Sequence, residues 1–137
     1  LEKISGVVEG GLGKAALFLS LPHYSQYFSH LLGATAFPGT LNARVSQKEA
    51  EELASKAKAS AGFRLEEKTV GDKKLGGVSC IKASVSNGKM EVECLAVFPD
   101  KSTHEKPVLE LVAGVNLRQK LLLKDGDEII VGVLSHA

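Results

Sequence analysis

The sequence predicts a compact, mainly β barrel with helices over its ends. Three observations carry that expectation. Strand-like runs are short and numerous, tight-turn signals separate them, and only two or three stretches show helical spacing. Strands and helices do not alternate, so a doubly wound parallel sheet fits poorly.

Ser5 to Glu9 reads as a first strand running into Gly10-Gly11-Leu12-Gly13-Lys14. Ala15 to Leu21 is apolar and stops at Pro22, which suits a second strand better than a helix. Tyr24, Tyr27, Phe28, Leu31 and Leu32 recur at helical spacing before Gly33, so that stripe faces the core. His23 and His30 flank it as surface residues. Gly39 to Ala43 is the next strand. Ser46-Gln47-Lys48-Glu49 is a capping box, opening a helix through about Ala61 that Gly62 ends. Its apolar side is Ala50, Leu53, Ala54 and Ala57. Phe63 to Thr69 follows as a strand, with Gly71 to Lys74 as a turn.

Asn87-Gly88, between strands Gly77 to Val85 and Lys89 to Phe98, is the strongest two-residue hairpin signal. That loop sets Ser86 opposite Lys89, Ile81 opposite Cys94, and Cys80 opposite Leu95. Lys82 should then pair with Glu93. The two cysteines fall on opposite faces, so they should not form a disulfide. Cys94 is expected on the buried face, so Cys94→Ser should destabilise more than Cys80→Ser. Without His or Cys companions the pair also makes a poor zinc site. Pro99 closes the hairpin, and Asp100 to Lys106 is a polar loop holding Ser102, Thr103 and His104. Val108 to Val112 is a strand, Asn116-Leu117-Arg118 opens a short helix, and Lys124 to Asp127 turns into a last strand from Glu128 to Leu134.

With 137 residues, 44% hydrophobic and 24% charged, one domain with a real core is expected. The net charge of +1 offers no global field for nucleic acid or an anionic membrane, so any polyanion site must be local. No apolar run approaches the ~20 residues of a membrane span, and no signal peptide is visible, which points to the cytoplasm. A start at Leu1 rather than Met suggests a domain cut from something longer.

The chemistry centres on Pro38-Gly39-Thr40-Leu41-Asn42. In an extended segment alternate residues share a side, so Thr40 and Asn42 present a hydroxyl and an amide oxygen together. Two neutral hard oxygens suit Mg²⁺, which keeps several waters and takes its remaining charge from substrate phosphates. A glycine turn opening a strand with an outward Thr and Asn is the plain alternative. Upstream, the glycines before Lys14 allow a cradle of backbone N–H groups for phosphate, with Lys14 as a point charge. A flexible hairpin loop is the alternative there. It is not a P-loop, because Ala15 follows Lys14, and a dinucleotide fingerprint would need a helix after it.

The order GLG, FLSLPHY, FPGTLN, the Pro99 to Arg118 segment and LKDGD resembles the archaeal CTP-dependent riboflavin kinases over nearly the whole chain. FLSLP followed by PGTLN is the most specific part. The resemblance implies a cradle-loop, Greek-key-like, six-stranded β-barrel with two or three short helices. It implies phosphorylation of riboflavin to FMN with CTP as donor, CDP as product and Mg²⁺ as metal. It places the nucleotide at Gly11, Leu12, Gly13, Lys14, Ala15 and Ala16 and at Val115, Asn116, Leu117 and Arg118. Thr40 and Asn42 become the metal ligands, and Ser102 and Glu110 meet the flavin. Glu110 is the leading catalytic candidate, orienting the ribityl hydroxyl or only contacting the flavin. His104 is a weaker candidate for that task. Arg118 either neutralises phosphate or makes an exposed ion pair. Two departures stand out: Lys14-Ala15-Ala16 lacks an Arg found in some relatives, and Pro107 replaces an acidic residue. Some relatives carry an N-terminal winged-helix domain, which would explain the start at Leu1.

Phosphoryl transfer asks chiefly for positioning and charge stabilisation, so a site without paired carboxylates is adequate. Two rivals remain at this level. A DNA-binding barrel regulator shares the LKDGD-type turn but predicts a basic stripe, whereas lysines here are interleaved with acidic residues. A non-catalytic flavin-binding module would keep Ser102 to Glu110 without needing Thr40 and Asn42. Oligomeric state is not legible in these residues, and a monomer is compatible with all of them.

Overall fold

The computed structural model describes residues 2–10, 19–100 and 107–133. In chain order the described elements are β1 (Glu2–Glu9), α1 (Pro22–Leu32), β2 (Leu41–Arg44), α2 (Gln47–Lys58), β3 (Phe63–Leu65) and β4 (Lys68–Val70). They continue as β5 (Lys73–Leu75), β6 (Val78–Ser86), β7 (Glu91–Pro99), β8 (Val108–Val112), α3 (Leu117–Lys120) and β9 (Glu128–Val133). Six strands close an antiparallel barrel in the order β6-β7-β8-β2-β1-β9, with β9 returning to β6 through Ala83 opposite Val133. The other half of that β6 edge pairs with β3. The mainly β, six-stranded barrel with three helices is the expected fold. Among the described residues no helix is long and apolar enough to cross a membrane.

Strand alternation fills the barrel. Ile4 and Val8, Leu41 and Ala43, Leu109 and Leu111, and Ile129, Val131 and Val133 point inward and are buried. α2 adds Leu53 and Ala57 to this core. A second apolar layer lies outside the barrel, where Tyr24 and Phe28 of α1 cover Cys80, Leu95, Val97 and Val112. β6 and β7 are therefore buried on both faces along part of their length, and read as apolar runs rather than strict alternation.

Local chemistry sets the helix limits. Pro22 stands in the first turn of α1, and Gly33 ends it at φ 71° with its N–H on Ser29 O. Ser46 caps α2 by accepting from Glu49 N–H. That helix stops at Lys58 rather than Ala61, and the chain folds back so closely that a Cβ on Gly62 would collide with the Ala57 backbone. The expected strand Phe63 to Thr69 breaks at Glu66-Glu67. Lys73 and Lys74, expected in a turn, belong to β5, which pairs with β4 across Gly71 (φ 60°) and Asp72. The described end of the expected Ala15 to Leu21 strand is a turn at Leu19 and Ser20 leading into α1.

The β6–β7 register differs from the two-residue expectation. Ser86 faces Glu91, Ala83 faces Cys94, and Cys80 faces Val97, so the loop holds four residues. Asn87 explains this: its Oδ1 accepts from the N–H groups of Lys89 and Met90, and its Nδ2 donates to Leu121 O at 2.9 Å. Lys82 accordingly faces Leu95, not Glu93, and its ammonium lies over the Phe63 ring, 5.6 Å from the centroid.

A slip of two residues preserves which face each side chain takes, so the cysteines remain on opposite faces. Both are free and buried, Cys94 in the barrel and Cys80 in the outer layer. The unequal cost expected of their Ser variants therefore gives way to comparable ones, since Cys80 is 0% exposed and Cys94 1%. Each substitution should lower stability by about 1–3 kcal/mol, read from urea midpoints. Burial pushes both thiols up to about 12, so thiol reagents at pH 8 should label two groups only after denaturation. Rapid labelling of the native protein would contradict this packing.

Candidate active site

The site grows from the placement of β2 between β1 and β8. Leu41 and Ala43 turn into the core, which leaves Asn42 on the outer face. Register puts Asn42 opposite Glu9 on one side and opposite Glu110 on the other. Glu110, between the inward Leu109 and Leu111, shares that outer face and is only 2% exposed; Asn42 is 8% exposed. Two polar side chains thus lie side by side at the edge of an apolar layer. Glu9 closes the row, its carboxylate 3.4 Å from Arg44.

Thr40 immediately precedes β2, which starts at Leu41, two residues later than the expected Gly39. Its hydroxyl donates to Asn42 Oδ1 at 3.4 Å, so the two predicted metal ligands are together. Neighbouring ligands of an octahedral Mg²⁺ with bonds of about 2.1 Å stand about 3 Å apart. The observed spacing is within a small rotamer adjustment of that, and both atoms are hard oxygens. Among the described residues no group of three His, Cys, Asp or Glu could hold a metal. The pair therefore fits a cation that keeps waters and binds substrate phosphate, and does not fit an all-protein cage.

Thr40 also lines a cavity of about 140 Å³ with Phe37, Gly39, Val115, Asn116 and Arg118. The predicted Val115 to Arg118 segment thus meets Thr40, one of the two predicted metal ligands. Their side chains have different tasks. Leu117 is buried in the barrel core, and Asn116 Oδ1 caps α3 by accepting from Gln119 N–H at 3.2 Å. Val115 is partly exposed at the cavity. Arg118 Nη2 donates to Asp125 Oδ1 at 2.6 Å and to Glu9 O at 3.2 Å.

Gly11 through Ala16, Ser102 and His104 lie outside the described residues. The described boundary of the 101–106 segment is firmly held. Asp100 takes two bonds of 2.6 Å from Arg64, whose Nη1 also donates to Ser79 Oγ. This guanidinium holds the Asp100 carboxyl below the usual carboxylate range, and the pairing raises Arg64 in turn. Gly77 makes the approach possible, since a Cβ there would strike both partners. Arg64, Glu9 and Asp125 were not singled out from the sequence; Arg64 and Glu9 are defined by partners distant in the chain, Asp100 and Arg44.

Comparison with known proteins gives the family. A family model named for CTP-dependent riboflavin kinase, and described as domain of unknown function DUF120, matches residues 7–133. The chain belongs to that family. It is 37% identical to a riboflavin kinase of Sulfolobus acidocaldarius over 133 residues, covering 97% of this chain and 82% of the relative. A riboflavin kinase of Methanobrevibacter smithii is 40% identical over 129 residues, covering 94% and 98%. A third, from Methanospirillum hungatei, is 34% identical over 134 residues, and the match spans 95% of this chain but 57% of that protein.

Proposed function

We propose that the protein transfers the γ-phosphoryl group of CTP to the 5′-hydroxyl of riboflavin, giving FMN and CDP, with Mg²⁺ as the metal. The observation that carries the reading is the meeting of Thr40 with Val115 to Arg118 at one cavity, next to the Asn42–Glu110 pair. A riboflavin kinase needs a metal, a nucleotide and a hydroxyl acceptor in that proximity.

Thr40 Oγ1 and Asn42 Oδ1 would hold the metal, which would supply positive charge to offset that of the phosphates. Arg118 adds a fixed positive charge for the phosphates, and Asn116 lines the same cavity. Gly11 through Ala16 supply the rest of the nucleotide contacts. Glu110, across from Asn42, accepts the hydrogen bond of the ribityl hydroxyl and aims its oxygen at the phosphorus. Ser102 contacts the flavin. Burial of Glu110 and Asn42 excludes water, which favours transfer to riboflavin over hydrolysis.

The donor supplies the test. CTP should exceed ATP by at least about a hundredfold in kcat/KM, because polar groups placed to pair with one base are left unpaired by another. Product analysis for FMN with each nucleotide and Mg²⁺ measures it. Equal rates would remove the assignment of CTP, and no FMN with any nucleotide would remove the kinase reading.

A further inference from the structure

The turn from Lys124 to Asp127 is built into the barrel more firmly than a surface turn requires. Gly126 N–H donates to Val8 O and Val8 N–H donates to Asp127 O, each at 2.8 Å, stitching the turn to the end of β1. Asp127 Oδ2 accepts from Lys124 N–H at 2.9 Å, and Gly126 takes φ 91°. Asp125 is thereby fixed between the end of β1 and the Val115 to Arg118 segment assigned to the nucleotide. On one side it lies against Gly10, where an added Cβ would sit 2.6 Å from its Oδ2. On the other, its Oδ1 receives Arg118 Nη2 at 2.6 Å.

The same Nη2 donates to Glu9 O at 3.2 Å. Both hydrogens of that nitrogen are thus directed to the protein, which fixes the guanidinium plane. Nη1 and Nε are the donors left to serve an anion. A carboxylate close to a phosphate site carries a repulsive cost. Here the Asp125 side chain is 65% exposed, so water and salt screen its charge while the short hydrogen bond keeps its direction.

The geometry points to Asp125 as a positioning residue, holding Arg118 at the mouth of the Thr40 cavity to receive the phosphates of a nucleoside triphosphate. This assignment rests on the kinase reading. It goes beyond that reading by giving the LKDGD turn a part in nucleotide affinity.

Calorimetric titration with CTP tests it on the wild type, Asp125→Asn, Asp125→Ala, Arg118→Ala and the Asp125→Ala/Arg118→Ala double variant. Thermal unfolding of each checks the fold. Asp125→Ala should weaken CTP about tenfold, and Asp125→Asn, which still accepts a hydrogen bond, about threefold. With Arg118 already Ala, removing Asp125 should change affinity by no more than about twofold. The KM for CTP should rise more than that for riboflavin. Unchanged or tighter CTP binding by Asp125→Ala, or the full tenfold loss without Arg118, overturns the assignment alone. A wild type that binds no CTP overturns the kinase reading and this assignment with it.

Discussion

Asn42→Ala should lower FMN formation by about a hundredfold or more while leaving the barrel folded. The side chain points away from the barrel interior, and its neighbours Leu41 and Ala43 keep their places in the core. Truncation removes the amide oxygen that stands 3.4 Å from Thr40 Oγ1, so one of two neutral oxygens proposed for the metal is gone. A neutral hydrogen bond of this kind contributes only about 1 kcal/mol to stability, so loss of turnover should far exceed loss of folding. A magnesium titration sharpens the result, because the variant should need more Mg²⁺ to reach its residual rate. Near-wild-type FMN formation would remove Asn42 from the metal site. Turnover falling only in step with the folded fraction would make it a structural residue.

Elements punctuated by their own residues were legible in the sequence. Pro22 and Gly33 bracket the apolar stripe of α1, Asn116 opens α3, and Val108 to Val112 is β8 without adjustment. The β6–β7 register was not, because Asn87 settles it partly through a bond to Leu121 O, far along the chain. The split of Phe63 to Thr69 was hidden for a related reason. Lys73 and Lys74 look like turn residues until Gly71 takes φ 60° and pairs them back onto β4.

The same division runs through the site. The alternate spacing of an extended segment was enough to join Thr40 and Asn42. The neighbours of Asn42 depend on β2 lying between β1 and β8, a matter of barrel closure rather than local pattern. Asp125 looked like a plain turn residue for the same reason. Its contacts with Arg118 and Gly10 exist only once the last turn docks on β1.

Glu110→Gln should separate activity from stability. A carboxylate 2% exposed is expensive to bury in its charged form, even with partners. Glutamine has nearly the same shape and carries no charge, so the variant should keep its urea midpoint or gain about 1 kcal/mol. If Glu110 receives the ribityl hydroxyl, FMN formation should fall by about a hundredfold to ten-thousandfold, the range for loss of a proton-accepting group. The fall should lie in kcat and in the riboflavin KM, with the CTP KM nearly constant, because Glu110 lies on β8 opposite Asn42 and the nucleotide is assigned to the glycine loop and Val115 to Arg118. A structural carboxylate predicts the reverse. The variant would then unfold at lower urea, and each folded molecule would work at the wild-type rate. Measuring urea midpoint, kcat and both KM values on one preparation decides between the two.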